Sequence, residues 1–371
     1  MLNPKELRHD LHKHPELSLE EFRTTRVLKQ NIEELLSEYN TKCRIQRPLK
    51  TGLLIDYRKS SSDKYTLLRA DIDALPIREK TGAQFQSRNN NMHACGHDVH
   101  AAILYGTLEW VVKNQIDQNI LFLFQPAEEE SGGAKKIIES NLLASFQIEQ
   151  AFALHVSNEY PVGTVAFRPN YLFSSSLEIN IDFQGKSAHI AKADQGKNAL
   201  LALAEFLHSC DQLVSNSPDK IVLGFGEAHS GTARNIIPDK ALLKGTLRTS
   251  TMEKGNHYFD KIEKMLADLK NDCGVDYKLT KGSQYKEVYN SPELFAKAKY
   301  SLAKEFSFVN CETKMTAEDF GYFSDLYPSL MLWLGTNQGQ KRGGLHTPYY
   351  LPGDEVIDKG IEVFQSLLHM D

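Results

Sequence analysis

Apolar positions along the chain fall into two textures. Up to about residue 170, short continuous apolar runs alternate with amphipathic stretches of helical period. Asn3-Pro4 opens a helix, with Pro at the first helical position. Ser18-Leu19-Glu20-Glu21 reads as a capping box ahead of the periodic Phe22, Val27, Leu28, Ile32, Leu35 and Leu36. A short strand over 65–68 runs into Arg69-Ala70-Asp71-Ile72-Asp73, and a helix is expected over 101–112. The run 120–124 is a continuous apolar strand halted by Gln125-Pro126, and 151–154 is another short strand. Strands apolar on both faces and separated by helices predict an α/β architecture, a mostly parallel sheet with helices on both faces.

Near Tyr171 the texture changes. Residues 177–183 alternate, with Leu177, Ile179, Ile181 and Phe183 on one face, as in a sheet with one solvated side. A helix over 198–213, strands over 221–226 and 241–247, a helix over 258–269 and a strand over 276–280 follow. That β-α-β-β-α-β order predicts a small α+β sandwich inserted into the larger domain. The first texture then resumes with a buried strand over 329–334. A final helix follows, capped by Asp354 and carrying Val356, Ile357, Ile361, Phe364, Leu367 and Leu368. The expected organisation is a first domain split into 1–173 and 283–371 around an insert at 174–282.

Length agrees: 371 residues correspond to about two or three domains. Lys and Arg number 43 against 48 Asp and Glu, a net charge of −5 with no basic run, so no nucleic-acid partner is expected. No apolar run approaches the length of a membrane span and the start has no apolar signal core, so no membrane association is expected. Five scattered cysteines point to thiols in a reducing cytoplasm.

Chemistry-bearing residues gather just past the strands. Met92-His93-Ala94-Cys95-Gly96-His97-Asp98-Val99-His100 holds a thiol and three imidazoles directly before a helix. Thiolate and imidazole are preferred zinc ligands, and Gly96 lets the chain turn Cys95 and His97 toward one ion. The same stretch also serves as an ordinary helix start with Cys95 as a small buried residue. Gln125-Pro126-Ala127-Glu128-Glu129-Glu130 follows a buried strand, where sites form in α/β sheets. One carboxylate there would ligate metal and another move protons; an acidic helix N-terminus is the plainer alternative. His155 and His346 each follow an expected strand. A lone histidine there is commonly structural, yet four such signals on one sheet describe a shared site. In the insert, His189 follows an alternating strand, and Arg234-Asn235 occupies a Gly/Pro-bounded turn suited to carboxylate recognition or simply to solvent.

Six motifs resemble one family: Arg69-Ala70-Asp71-Ile72-Asp73-Ala74-Leu75-Pro76, His93-Ala94-Cys95-Gly96-His97-Asp98, Gln125-Pro126-Ala127-Glu128-Glu129, Leu154-His155-Val156, Ala188-His189 and Ala317-Glu318-Asp319-Phe320. They are similar to the aminoacylase, hippurate hydrolase and auxin-conjugate hydrolase group of amidohydrolases, within a wider clan of co-catalytic metallopeptidases. They occur in family order and span nearly the whole chain. The resemblance implies a zinc-exopeptidase-like catalytic domain and a ferredoxin-like lid and dimerisation insert. It implies two divalent metal ions, zinc or manganese, with cobalt or nickel as further options. Cys95, His97, Glu129, His155 and His346 would be their ligands, with Cys95 bridging. Glu128 would be general base and acid. Asp71 is counted with it in the catalytic set, and both Asp71 and Asp73 would form a supporting shell, because Arg69 stands where other branches carry a ligand histidine. His189 would bind substrate or its oxyanion, within its own or across a homodimer's site, and Arg234 and Asn235 would hold the substrate carboxylate under a closing lid. The Gly-x-Asn of the family is kept as Gly196-Lys197-Asn198, whereas Lys192-Ala193-Asp194 lacks the usual Pro.

The short chain and Arg8-His9-Asp10-Leu11-His12-Lys13-His14-Pro15-Glu16-Leu17 look most like the bacterial enzymes acting on N-acetyl-LL-diaminopimelate. The implied substrate is therefore a small N-acyl amino acid, that one first. Hippurate, another N-acyl amino acid or a dipeptide is the alternative within the clan. A dimeric binding protein that has lost activity is the non-enzyme alternative, and the intact Glu128 argues against it.

Overall fold

The computed structural model describes residues 1–130, 132–339 and 343–370. The chain forms two compact units. The first comprises Met1–Leu172, Val288–Glu312 and Asp319–Asp371, and the second Phe173–Glu287 with Thr313–Glu318. The borders of the insert thus run at 172/173 and 287/288 rather than 173/174 and 282/283, and a later short segment joins it.

Among the described residues the first unit carries an eight-stranded sheet. Its order in space is Arg44–Gln46, Leu53–Tyr57, Ile120–Gln125, Lys64–Asp71, Gln147–Pro161, Ser329–Asn337, Thr164–Phe167 and Ser307–Asn310. The four central strands, 120–125, 64–71, 147–161 and 329–337, pair in parallel. Antiparallel pairing is confined to the flanks, where 53–57 meets 44–46 and 120–125, and 164–167 meets 329–337. The sheet is therefore mixed and mostly parallel. Phe122 and Phe124 point into a core shared with the helices Phe22–Glu38, His97–Lys113 and Glu355–Leu368. Leu121 and Leu123, on the opposite pleat, are equally buried, which is why this strand reads as an unbroken apolar run.

Asn3 caps the helix Pro4–Lys13 through a complete capping box with Glu6. Two other expected caps are corrected. Glu21, not Ser18, precedes the helix Phe22–Glu38, and no side chain caps it. Ser18 Oγ instead donates to Asp73, while Glu21 accepts from Thr51 Oγ1 and the Ala127 amide. Asp354 makes no side-chain cap either; its carboxylate takes Arg8 and His9. Asp354 does stand at the start of its helix, whereas the helix after Ser18 begins three residues later than a box at Ser18 implies; in both cases long-range partners captured the side chains.

The second unit has a four-stranded antiparallel sheet in the order Val222–Ser230, Lys240–Thr249, Ser175–Gln184, Asp276–Tyr285. Leu177, Ile179, Ile181 and Phe183 face the helices Ala199–Ser215 and Met252–Cys273, meeting Phe206, Ile262 and Leu266. The alternate residues Glu178, Asp182 and Gln184 are exposed. This is the βαββαβ sandwich its alternation implied. Among the described residues no helix is long and apolar enough to cross a membrane.

Candidate metal centre

Four segments of the first unit bring their polar residues to one end of the parallel strands, the end where α/β sheets build sites. The 64–71 strand ends in Asp71, with Asp73 two residues on. The 120–125 strand leads into the loop of Glu128 and Glu129. His155 lies within the long strand Gln147–Pro161, opposite Trp333, and not beyond a strand end as its flanking residues implied. His346 follows the 329–337 strand at a positive φ of 62°.

Cys95 and His97 enter from the turn before the His97–Lys113 helix. That turn depends on Gly96, whose φ is 85° and whose missing Cβ would lie 2.5 Å from Val156 Cγ2. Any side chain would push Cys95 and His97 off the strand that carries His155.

The side chains converge. Cys95 Sγ lies 3.3 Å from His155 Nε2 and 3.2 Å from His346 Nε2. Glu129 Oε1 lies 3.9 Å from His97 Nε2 and 3.6 Å from His346 Nε2. Cys95, His97 and His155 form one group whose donor atoms all lie within 4.8 Å of one another; Cys95, Glu129 and His346 form a second, and His97, Glu128 and Glu129 a third. The groups share members, so the five expected ligands and Glu128 make one contiguous cluster. Cys95, His97, Glu128 and His155 are buried, and His346 is half exposed.

The imidazoles are oriented from behind. His97 Nδ1 faces the Asp73 carbonyl at 3.0 Å and its carboxylate at 3.2 Å, and His155 Nδ1 faces the Val156 carbonyl at 2.8 Å. Those oxygens only accept, so Nδ1 carries the proton and Nε2 leads into the cluster. Such anchoring is the usual arrangement behind metal-bound imidazole. His97 Nε2 is fully buried and has no hydrogen-bond partner among the described residues. A buried polar atom in that state needs a partner that protein atoms do not supply. Thiol, imidazole and carboxylate together suit a borderline divalent ion, so the residues fit a metal.

The electrostatics agree. Burial, then Glu129, Glu128 and Asp71, push the Cys95 thiol well above its ordinary pKa. Burial raises Glu129 to about 7. Burial alone would lower His97, but Asp71, Asp73 and Glu129 overcome it and raise the imidazole to about 10. Burial also keeps His155 and His346 low, so both rings are neutral. A water-excluded pocket with this many acidic groups favours positive charge, which a bound cation provides in place of a proton.

Asp71 and Asp73 stand behind the cluster. Asp73 accepts from Ser18 Oγ at 2.7 Å and from the Glu129 amide at 3.0 Å while it orients His97. Asp71 has both oxygens engaged, by Arg69 at 2.7 Å and His100 at 2.5 Å. Arg69 also donates to Gln125 and Asp319. The N-terminal helix contributes Arg8 and His12, both bound to Asp98 beside His97. Sequence reasoning missed Ser18, Glu21, Arg8 and His12 as parts of this support. Only the i, i+4 spacing of Arg8 and His12 signalled a shared face.

In the second unit His189 ends a two-residue strand paired with Ile236–Ile237. Its Nδ1 accepts from the Ala191 amide at 3.1 Å, and the Ile190 amide donates to the Asn235 carbonyl at 3.0 Å. His189, Arg234 and Asn235 are thus neighbours on one exposed ribbon.

A split α/β domain with a thiol, imidazole and carboxylate cluster at its strand ends, interrupted by an α+β sandwich, has the make-up of a metal-dependent hydrolase. The chain belongs to peptidase family M20/M25/M40, whose model matches residues 67–370. It is 36% identical over 369 residues to a protein of Geobacillus sp. (strain WCH70) named N-acetyldiaminopimelate deacetylase, covering 98% of this chain and 96% of the relative. A protein of the same name from Shouchella clausii (strain KSM-K16) is 37% identical with the same coverage. Among solved structures, a dinuclear metal-binding peptidase of the M20 family from Bacillus subtilis superposes with a TM-score of 0.83 at 28% identity, covering 98% of this chain and 96% of that one.

Proposed function

We infer that this protein hydrolyses the amide bond of N-acetyl-LL-diaminopimelate, releasing acetate and LL-diaminopimelate for lysine synthesis in the cytoplasm. The observation that carries the reading is the convergence of Cys95 Sγ with the Nε2 atoms of His155 and His346, in a chain alike from end to end to relatives of that name. Cys95, His97, Glu129, His155 and His346 would hold two divalent ions, zinc or manganese, with cobalt or nickel as further candidates, and Cys95 would be shared between them.

When bound, such ions supply Lewis acidity toward the amide carbonyl and make water acidic enough to attack near neutral pH. Glu128, in the loop pinned by Asp73 and Glu21, accepts the attacking water's proton and returns it to the leaving nitrogen. Asp73 keeps His97 and the Glu129 backbone in register throughout. His189 stabilises the oxyanion, and Arg234 and Asn235 bind the substrate carboxylate. In this reading the second unit serves as lid and homodimer surface.

The test is acetate release from N-acetyl-LL-diaminopimelate beside hippurate, other N-acetyl amino acids and dipeptides. It is run with added Mn²⁺ or Zn²⁺ and after chelation. Preference for the diaminopimelate derivative, lost on chelation, is expected. Chelator-sensitive cleavage of another conjugate would keep the chemistry and remove the substrate. Metal binding without turnover on any of them would leave a binding protein.

A further inference from the structure

The motif that contributes Cys95 and His97 carries another imidazole, His100, which the proposed chemistry does not use. His100 is buried, with its ring centroid 5.3 Å from that of His97 and 4.6 Å from that of His155. It is wedged against two of the cluster's rings. Its donor atoms also group with those of Asp71 and His97 within 4.8 Å, the spacing of a metal site.

Its hydrogen bonds decide between ligand and support. The Val156 amide donates to His100 Nε2 at 3.0 Å. That nitrogen accepts, so the proton of the neutral ring sits on Nδ1, 2.5 Å from Asp71 Oδ1. Both ring nitrogens are committed, and neither has a lone pair left for a metal. The Val156 carbonyl in turn accepts from His155 Nδ1. Val156 is thus held at both of its backbone groups, its carbonyl by His155 and its amide by His100, and His100 passes on to Asp71, which Arg69 neutralises from the other side. The link is positional: the amide that His100 holds belongs to the peptide bond joining His155 to Val156, and so fixes the backbone from which the His155 ring projects.

We propose that His100 is a positioning residue that stays off the metal and ties the His155 backbone to Asp71, fixing His155 for coordination. The proposal rests on the metal-dependent reading above. It assigns a role to the tautomer: loss of either nitrogen's bond frees one end of the link.

The experiment compares His100→Ala, His100→Asn and His100→Gln with wild type. An Asn amide nitrogen falls where Nδ1 was and keeps the link to Asp71. A Gln amide oxygen falls where Nε2 was and keeps the link to Val156. Zn²⁺ and Mn²⁺ stoichiometry and affinity are measured by chelator competition, with the unfolding temperature of the chelated protein as the control for folding. The expected result is unchanged stoichiometry in all variants. Affinity falls about 10- to 100-fold in His100→Ala, and the two amides each recover part of it. If His100→Ala does not fold, the amide pair carries the test, since each lacks one bond and should bind more weakly than wild type.

Unchanged affinity in the variants that fold overturns the proposal. So does the loss of one ion per chain that neither amide restores, because that is the behaviour of a ligand. Wild-type protein that binds no metal overturns the metal reading itself and the assignment with it, an outcome distinct from either.

Discussion

In the first unit His97, His155, Asp71 and Arg69 are closed off from water, and each is held by named partners. In the second, His189, Arg234 and Asn235 sit exposed on a ribbon whose hydrogen bonds run mainly through the backbone. Sequence points to His97, His155 and His189 by their places near strand ends, to Arg234 and Asn235 by a Gly/Pro-bounded turn, and to Asp71 by family resemblance. Burial separates them. A water-excluded group keeps its geometry without substrate and loses much when a partner is removed. An exposed group is free to arrange itself around a ligand and contributes little until one arrives.

The sharpest way to break that comparison is Glu128→Gln. The isosteric amide cannot accept a proton, so kcat should fall by about 10²- to 10⁴-fold with metal content preserved. Steady-state rates beside metal analysis check both halves, and a near-normal rate would remove Glu128 from proton transfer. Cys95→Ala comes next. Loss of support behind a ligand already costs about 10- to 100-fold in metal affinity, and loss of a shared ligand should cost more. Chelator competition reads it, and unaltered affinity would mean that Cys95 is only a buried thiol. Arg234→Ala tests the exposed side. It should raise KM about tenfold or more, the contribution of a charge-assisted hydrogen bond, and leave metal affinity untouched. A change in metal affinity there would erase the distinction between the two sets.

Why the chain disclosed so much of the site and so little of its support follows from sequence distance. Cys95, Gly96 and His97 are consecutive, and Gly96 marks the backbone turn that joins them. Glu128 and Glu129 are adjacent past a strand that ends in Gln125-Pro126. Those are local signals. The groups that hold them are not: Ser18 meets Asp73, Arg69 meets Asp319 and Arg8 meets Asp354 across stretches that no periodicity spans. Ser18 and Glu21 even match a capping box, a local pattern that the fold overrode because a buried Asp73 and a buried Ala127 amide needed partners more than an exposed helix end did. The strand through His155 was read too short for a related reason. Residues 157–161 are half polar, but pairing with 329–337 carries the strand on to Pro161. The antiparallel flanks of the sheet left no mark at all, since a short buried strand looks alike in either direction.

The smallest prediction concerns stability and pH, and it too divides the units. His12 is buried, and burial opposes its charge. Asp98 and Glu79 more than reverse this and raise its pKa to about 9. A group whose folded pKa is raised stabilises fully below its unfolded value of about 6.5, and its contribution is lost as pH climbs through about 9. The shift corresponds to roughly 3 kcal/mol, so wild type should lose about that much between pH 6.5 and 9.5. His12→Gln should start lower and lose about 3 kcal/mol less than wild type over the same interval. The second unit's ion pairs, such as Lys254 with Asp219 and Lys270 with Asp276, lie toward solvent and should add almost no slope. Hydrogen exchange resolved by segment separates the two. Protection, taken relative to the intrinsic base-catalysed rate at each pH, should fall at high pH in the helix Pro4–Lys13 and around Asp98, and not in the strands of the second unit. Equal loss of protection in both would show that burial of charge is not what distinguishes them.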